Sequence, residues 1–185
     1  MTDQRGQAAQ LIILVVALSL IGCTGHARVI STFGEWRDGG GTPRDHAHEG
    51  VDVWGQLDDP VLAAADGRVW DLRVLTGRGS CGKFVELRHD LTIDGEPATA
   101  RTKYCHLSEY LVSADQEVKR GEVIGYIGRT GWMAQPIQPI GLEHVHWEVR
   151  LYGRLLDPVP YTVGCFDPKR IYPTHGLVLT WPVRC

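Results

Sequence analysis

Two short runs hold the residue types that could do chemistry. The first, His48-Glu49-Gly50-Val51-Asp52, sets an imidazole and a carboxylate four residues apart. A helix would bring them onto one face, but Gly50, Val51 and Val53 disfavour a helix. A straight strand would hold them roughly 13 Å apart, too far to share an ion. A bend at Gly50, a residue free to take φ > 0, would let His48 on a loop and Asp52 at a strand start converge. Taken alone, the pattern suits a loop histidine and a turn aspartate better than a metal site. The second run, from His144 to Arg150, changes that balance. It alternates with period two, as a half-buried strand does. His144, His146, Glu148 and Arg150 share one face, while Val145, Trp147 and Val149 share the other and face a core. The two histidines lie roughly 6.6 Å apart along the strand, so one can bind a metal while the other faces a reaction beside it. Between the two runs lies Tyr104-Cys105-His106-Leu107, another histidine on a strand-like stretch.

Together these three motifs resemble the signatures of the lysostaphin-type, or M23, zinc metallopeptidases with a LytM-like domain. Pro60 to Val69 and Val118 to Gly131 resemble that family's hairpin after the first motif and its second landmark, and Leu156-Asp157-Pro158 resembles its domain end. The similarity runs from about Val29 to Tyr161. It implies one Zn2+ per chain held by His48, Asp52 and His146, with a fourth position open as catalytic zinc sites have. It leaves His106 and His144 for proton transfer and for steadying the tetrahedral intermediate, without deciding which is the base. Glu148 either orients a ligand or forms a surface salt bridge. Tyr104 and Trp132 are the candidate substrate-binding residues, with Tyr104 on the face of His106.

The elements that must position these groups read as mainly β: antiparallel sheets of one compact domain, the cleft over one sheet, with few or no long helices. Strands are expected at Arg28–Gly34, Val61–Ala65, Arg68–Val74, Lys83–His89, Ala100–His106, Glu122–Ile127 and Val145–Leu151. Asp66-Gly67 and Asp94-Gly95 are hairpin signals. Ser108 is expected to cap one short helical turn through Tyr110 and Leu111. Trp36, Trp54, Trp70 and Trp147 are assigned to core or cleft wall, and His46, His89, His26 and His175 to bland positions, His89 at a turn. The segment from Gly131 to His144 is longer than the family's usual connection and should loop beside the site.

The chain has 185 residues, 43% of them hydrophobic, enough for one domain and a targeting segment. A net charge of −3 argues against nucleic acid as the partner. Residues 1–22 read as a signal peptide, with an apolar run from Leu11 to Ile21 too short to span a bilayer. Leu20-Ile21-Gly22-Cys23 resembles a lipobox, which makes Cys23 the lipid-bearing first mature residue; an ordinary signal cleaved after Ala27 is the alternative. Residues 23–28 would be a short tether, 29–161 the peptidase domain and 162–185 a tail. The four remaining cysteines suit an oxidising compartment: Cys81 and Cys105 flank one hairpin, and Cys165 and Cys185 would close the tail. The expected protein is an exported, membrane-anchored monomer facing the periplasm or cell wall. Its expected activity is endopeptidase action on the peptide cross-links of bacterial peptidoglycan. A catalytically silent binding protein of the same fold and a D-amino-acid carboxypeptidase are the alternatives. The first is disfavoured by five intact key positions, the second by the close spacing of His48 and Asp52.

Overall fold

The computed structural model describes residues 25–38, 40–77, 80–135 and 138–185. The expected signal segment and Cys23 lie outside the described residues. Among the described residues, ten strands make one open antiparallel sheet. They are β1 (Val29–Ser31), β2 (Val51–Trp54), β3 (Pro60–Leu62), β4 (Gly67–Val74), β5 (Lys83–Ile93), β6 (Glu96–Tyr110), β7 (Glu117–Val118), β8 (Val123–Ile127), β9 (His144–Leu151) and β10 (Arg154–Leu156). The spatial order is β1-β2-β9-β6-β5-β4-β7, with β10 on β9 and the β3–β8 pair joined through β6. The expected mainly β, single-domain architecture is what the chain adopts; the described helical structure is limited to two short 3-10 turns, Gly131–Ala134 and Val159–Tyr161.

Its longest hairpin joins β5 to β6 through Asp94 and Gly95, both at positive φ (52° and 85°). That two-residue turn matches the right-handed twist of the strands it connects. Alternation then sorts the side chains. Val145, Trp147 and Val149 of β9 are completely buried, and Ala98, Ala100, Thr102 and Tyr104 of β6 are buried beside them. The tail completes this core. Leu177, Leu179, Trp181 and Val183 are buried, Trp181 packs with its ring centroid 6.0 Å from that of Trp147, and the tail backbone bonds Leu62 and Ala64. Disulfides join Cys81 to Cys105 and Cys165 to Cys185, the expected pairs. Residues expected as a tether are docked on the domain: the Trp54 amide donates to the Arg28 carbonyl at 2.8 Å, and Ala27 packs against the core.

Several local expectations are corrected. Asp66-Gly67 does not turn a β3–β4 hairpin, because β3 pairs with β8 and β4 with β5 and β7. The Asp66 carboxylate instead accepts the Arg120 amide at 2.8 Å and the Lys119 ammonium. Ser108 caps no helical turn; it lies in β6 and donates to Asp58 Oδ1. His89 is not at a turn. It sits inside β5, fully buried, with Nδ1 against the Asp66 carbonyl and Nε2 against Thr102 Oγ1, and burial holds its pKa below the usual imidazole value. Trp36 and Trp70 are exposed rather than core residues, Trp70 lying under the Arg88 guanidinium.

Candidate active site

Three adjacent strands bring the candidate residues together. Asp52 of β2 and Cys105 of β6 pair in register with His146 of β9, one on each side, and directly paired residues point to the same face. His48 reaches this row from the loop before β2. No positive φ is needed at Gly50; the glycine is required because a Cβ there would lie 2.4 Å from the Trp147 carbonyl oxygen. The bend expected at Gly50 is therefore a close approach of the loop to β9.

His106 enters by a different device. Opposite β5 the register shifts between Lys83 and Val85, which pair with Leu107 and Tyr104. The extra residue is a bulge, and His106 takes positive φ (64°) within it. The bulge breaks the alternation on which Tyr104 and His106 would share a face. His106 turns into the site, whereas Tyr104 is fully buried in the core, its hydroxyl accepting the Ala64 amide at 2.9 Å. Tyr104 therefore does not line the cleft, and burial pushes its pKa up to about 12. Trp132 stands on the 3-10 turn Gly131–Ala134 and lines the pocket over His106, His144 and His146. Trp54, half-buried at the end of β2, is not among the residues lining that pocket; its indole donates to the Gly141 carbonyl at 3.1 Å.

The geometry converges on one point. His48 Nε2 is 3.0 Å from Asp52 Oδ1, His146 Nδ1 is 2.9 Å from the same oxygen, and the two nitrogens are 2.8 Å apart. The outward nitrogens fix the tautomers. His48 Nδ1 faces the Thr32 carbonyl at 2.9 Å and His146 Nε2 faces Glu148 Oε1 at 3.5 Å, both acceptors only, so each outward nitrogen carries a proton. In the neutral rings, the inward nitrogens then offer lone pairs beside a carboxylate oxygen. Two imidazole lone pairs and one carboxylate are a fitting donor set for a divalent metal ion. Without the ion a proton takes that place. Burial alone would lower the pKa of His146, but its contacts with Asp52 and Glu148 win and raise it to about 9. Burial would raise that of Asp52, yet its electrostatic interaction with the His144 ring and its contacts with His146 and His48 hold it well below the carboxylate range. For Glu148 burial is likewise outweighed, by His146, Lys103 and Arg150, and its pKa falls to about 2.

His106 and His144 flank the cluster, their rings edge-on at 5.3 Å. His106 Nδ1 donates to the Thr130 carbonyl at 3.0 Å, and His144 Nδ1 to that of Leu142 at 2.8 Å. Burial is the main cause that lowers both pKa values, that of His106 strongly, so both rings are neutral near pH 7 and present free Nε2 lone pairs. Two supporting residues carry no signal of their own in the sequence. Arg44 donates to Asp52 Oδ2 and to Ser31 Oγ, each at 3.1 Å, from a Gly/Pro-rich loop without periodicity. Thr130 orients His106 and also accepts the Lys83 amide on its hydroxyl at 2.9 Å.

The chain is similar to known peptidases over the strands that carry these residues. The profile of peptidase family M23 matches residues 46–158. An uncharacterized metalloprotease of Haemophilus influenzae is 38% identical over 133 residues, covering 72% of this chain and 25% of the relative. Peptidoglycan DD-endopeptidase ShyC of Vibrio cholerae is 31% identical over 151 residues, covering 82% of this chain and 30% of that protein. Among solved structures, a zinc-containing peptidase from Vibrio cholerae superposes with a TM-score of 0.54 at 27% identity, covering 71% of this chain and 36% of that one. The chain thus spans about a quarter to a third of the length of these relatives.

Proposed function

The chain belongs to peptidase family M23, and from that premise we propose that it is a zinc metalloendopeptidase that hydrolyses the peptide cross-links of bacterial peptidoglycan. The observation that carries the reading is the meeting of His48 Nε2, Asp52 Oδ1 and His146 Nδ1 within 3.0 Å of one another, with two neutral histidines beside them. His48, Asp52 and His146 would hold the ion. Zinc bound there supplies Lewis-acid polarisation of a carbonyl and activation of water. His106 and His144 then divide the proton work: one accepts a proton from the attacking water, the other steadies the developing oxyanion or protonates the leaving amine. Their backbone anchors on Nδ1 keep Nε2 facing the site. Trp132 contacts the substrate peptide from the loop above. That ShyC acts on peptidoglycan and that the superposed Vibrio peptidase contains zinc support the substrate and the metal.

The sequence before the described residues supports an exported chain, with Cys23 as the lipid attachment point. Cys23→Ser should then move the protein from the membrane fraction to the soluble one; equal membrane recovery would refute the anchor. The activity is tested by incubating the zinc-loaded chain with purified peptidoglycan and analysing the fragments by mass spectrometry. Loss of cross-linked dimers in favour of monomers supports an endopeptidase. Release of a free terminal amino acid with cross-links intact would replace it with a carboxypeptidase, and unchanged peptidoglycan would contradict both.

A further inference from the structure

His146 has two neighbours in the sheet, and only one belongs to the hydrolytic cluster. On its other side stands Cys105 of β6, completely buried. The Cys105 sulfur, a ring nitrogen of His146 and a carboxylate oxygen of Glu148 lie within 4.8 Å of one another. Glu148 is 5% exposed and faces His146 Nε2 at 3.5 Å. A thiolate, an imidazole and a carboxylate are zinc-type donors, the sulfur being the strongest attraction for a soft ion. In the structure that sulfur is bonded to Cys81, and a disulfide sulfur is not the thiolate a metal needs.

We propose that Cys105, His146 and Glu148 form a second, latent site for a thiophilic divalent metal, which the Cys81–Cys105 disulfide keeps closed, and that opening it diverts His146 from the hydrolytic centre. The proposal rests on the reading of His146 as a ligand of that centre. One imidazole would otherwise serve two competing donor sets, through Nδ1 toward Asp52 and through Nε2 toward Glu148. Opening the site requires a dithiol reductant. Two electrons and two protons pass to the cystine sulfurs, leaving Cys81 and Cys105 as thiols, and the reductant closes to its own disulfide. Metal binding then releases the Cys105 thiol proton to solvent, and the neutral His146 ring changes tautomer, its proton leaving Nε2 for the metal to bind there and Nδ1 taking one up, which withdraws Nδ1 from the hydrolytic centre. Oxidation of the pair is thereby the step that commits the metal to hydrolysis.

The disulfide is not needed as a staple for His106. The His106 amide donates to the Cys81 carbonyl at 2.8 Å, the Lys83 ammonium to the Ser108 carbonyl at 2.6 Å and the Lys83 amide to Thr130 Oγ1 at 2.9 Å. These bonds hold the loop to β6 without sulfur, so removing both sulfurs differs from freeing one.

The test uses the full chain with Cys23→Ser throughout, so that no other free thiol is present, and Co(II) as the probe. Cys81→Ser leaves Cys105 as a thiol; Cys81→Ser/Cys105→Ser leaves none. The proposal expects sulfur-to-Co(II) charge-transfer absorption in the single variant alone. It also expects zinc-loaded peptidase activity about tenfold or more below that of the double variant, the size of effect produced when a metal's surroundings are disturbed. Co(II) bound to the single variant without sulfur absorption, or equal losses of activity in the two variants, would overturn it. The parent protein tests the underlying reading separately. A Co(II) spectrum of nitrogen and oxygen ligation that disappears with His48→Ala supports that reading, and a parent that takes up no Co(II) overturns it together with the inference.

Discussion

Asp52 lies directly across the β2–β9 ladder from His146, and their side chains meet at 2.9 Å. The pairing places one carboxylate oxygen, Oδ1, against both candidate histidine ligands and leaves Oδ2 to Arg44. Arg44 thus satisfies the second oxygen of a buried carboxylate. Arg44→Ala should weaken metal binding by about 10–100-fold, the usual effect of removing such an outer partner, while the fold persists. Competition with a calibrated chelator measures it; unchanged affinity would show that Arg44 does not support the ligand.

The proton held by His146 makes metal binding depend on pH. Its pKa is raised to about 9 in the metal-free protein. The stabilisation from its protonated form is complete below the unfolded imidazole value of about 6.5 and is lost as the pH rises through about 9. A metal ion must displace that proton. Apparent affinity should therefore climb between about pH 7 and 9 and then level off, with about one proton released per ion at pH 7 from this group. Calorimetry in buffers of different ionisation enthalpy reads the release directly, and a pH-independent affinity across that window would contradict the assignment.

Gly50 is required by space. A Cβ would stand 2.4 Å from the Trp147 carbonyl oxygen and 3.1 Å from His146 Cε1. Gly50→Ala should cost about 1–3 kcal/mol, as overpacking does, and lower the denaturant midpoint with little change of slope. An unchanged midpoint would mean that the loop before β2 yields freely.

What could be read from the sequence follows from which rule governs each residue. The row on β9 was legible because strict alternation sends Val145 and Trp147 to the core and His144 and His146 to the other face. The disulfides were legible because one pair brackets a hairpin and the other a tail. Tyr104 was misplaced because a one-residue bulge at His106 reverses the parity on which the expectation rested, and no residue type announces a bulge there. The hairpin at Asp66-Gly67 failed for a related reason: the Asp66 carboxylate serves as an acceptor for the Lys119 ammonium and the Arg120 amide, more than fifty residues on. His89 and Trp70 exchanged expected environments, the first buried by long-range bonds to Asp66 and Thr102, the second exposed beneath Arg88. Arg44 could not be found, since its partner Asp52 is reached only through a loop fold that lacks periodicity.

In the proposed enzyme, His48, Asp52 and His146 hold the metal while His106 and His144 handle protons. The most direct measurement is metal content by mass spectrometry together with turnover of a peptidoglycan peptide, for His146→Ala and His144→Ala side by side. The His146 variant should lose metal and activity together, because a two-ligand site binds zinc poorly. The His144 variant should keep about one ion per chain and lose about 10²–10⁴ in rate, the usual size of a general acid–base contribution. A His144 variant that loses its metal while the His146 variant keeps it would contradict the assignment.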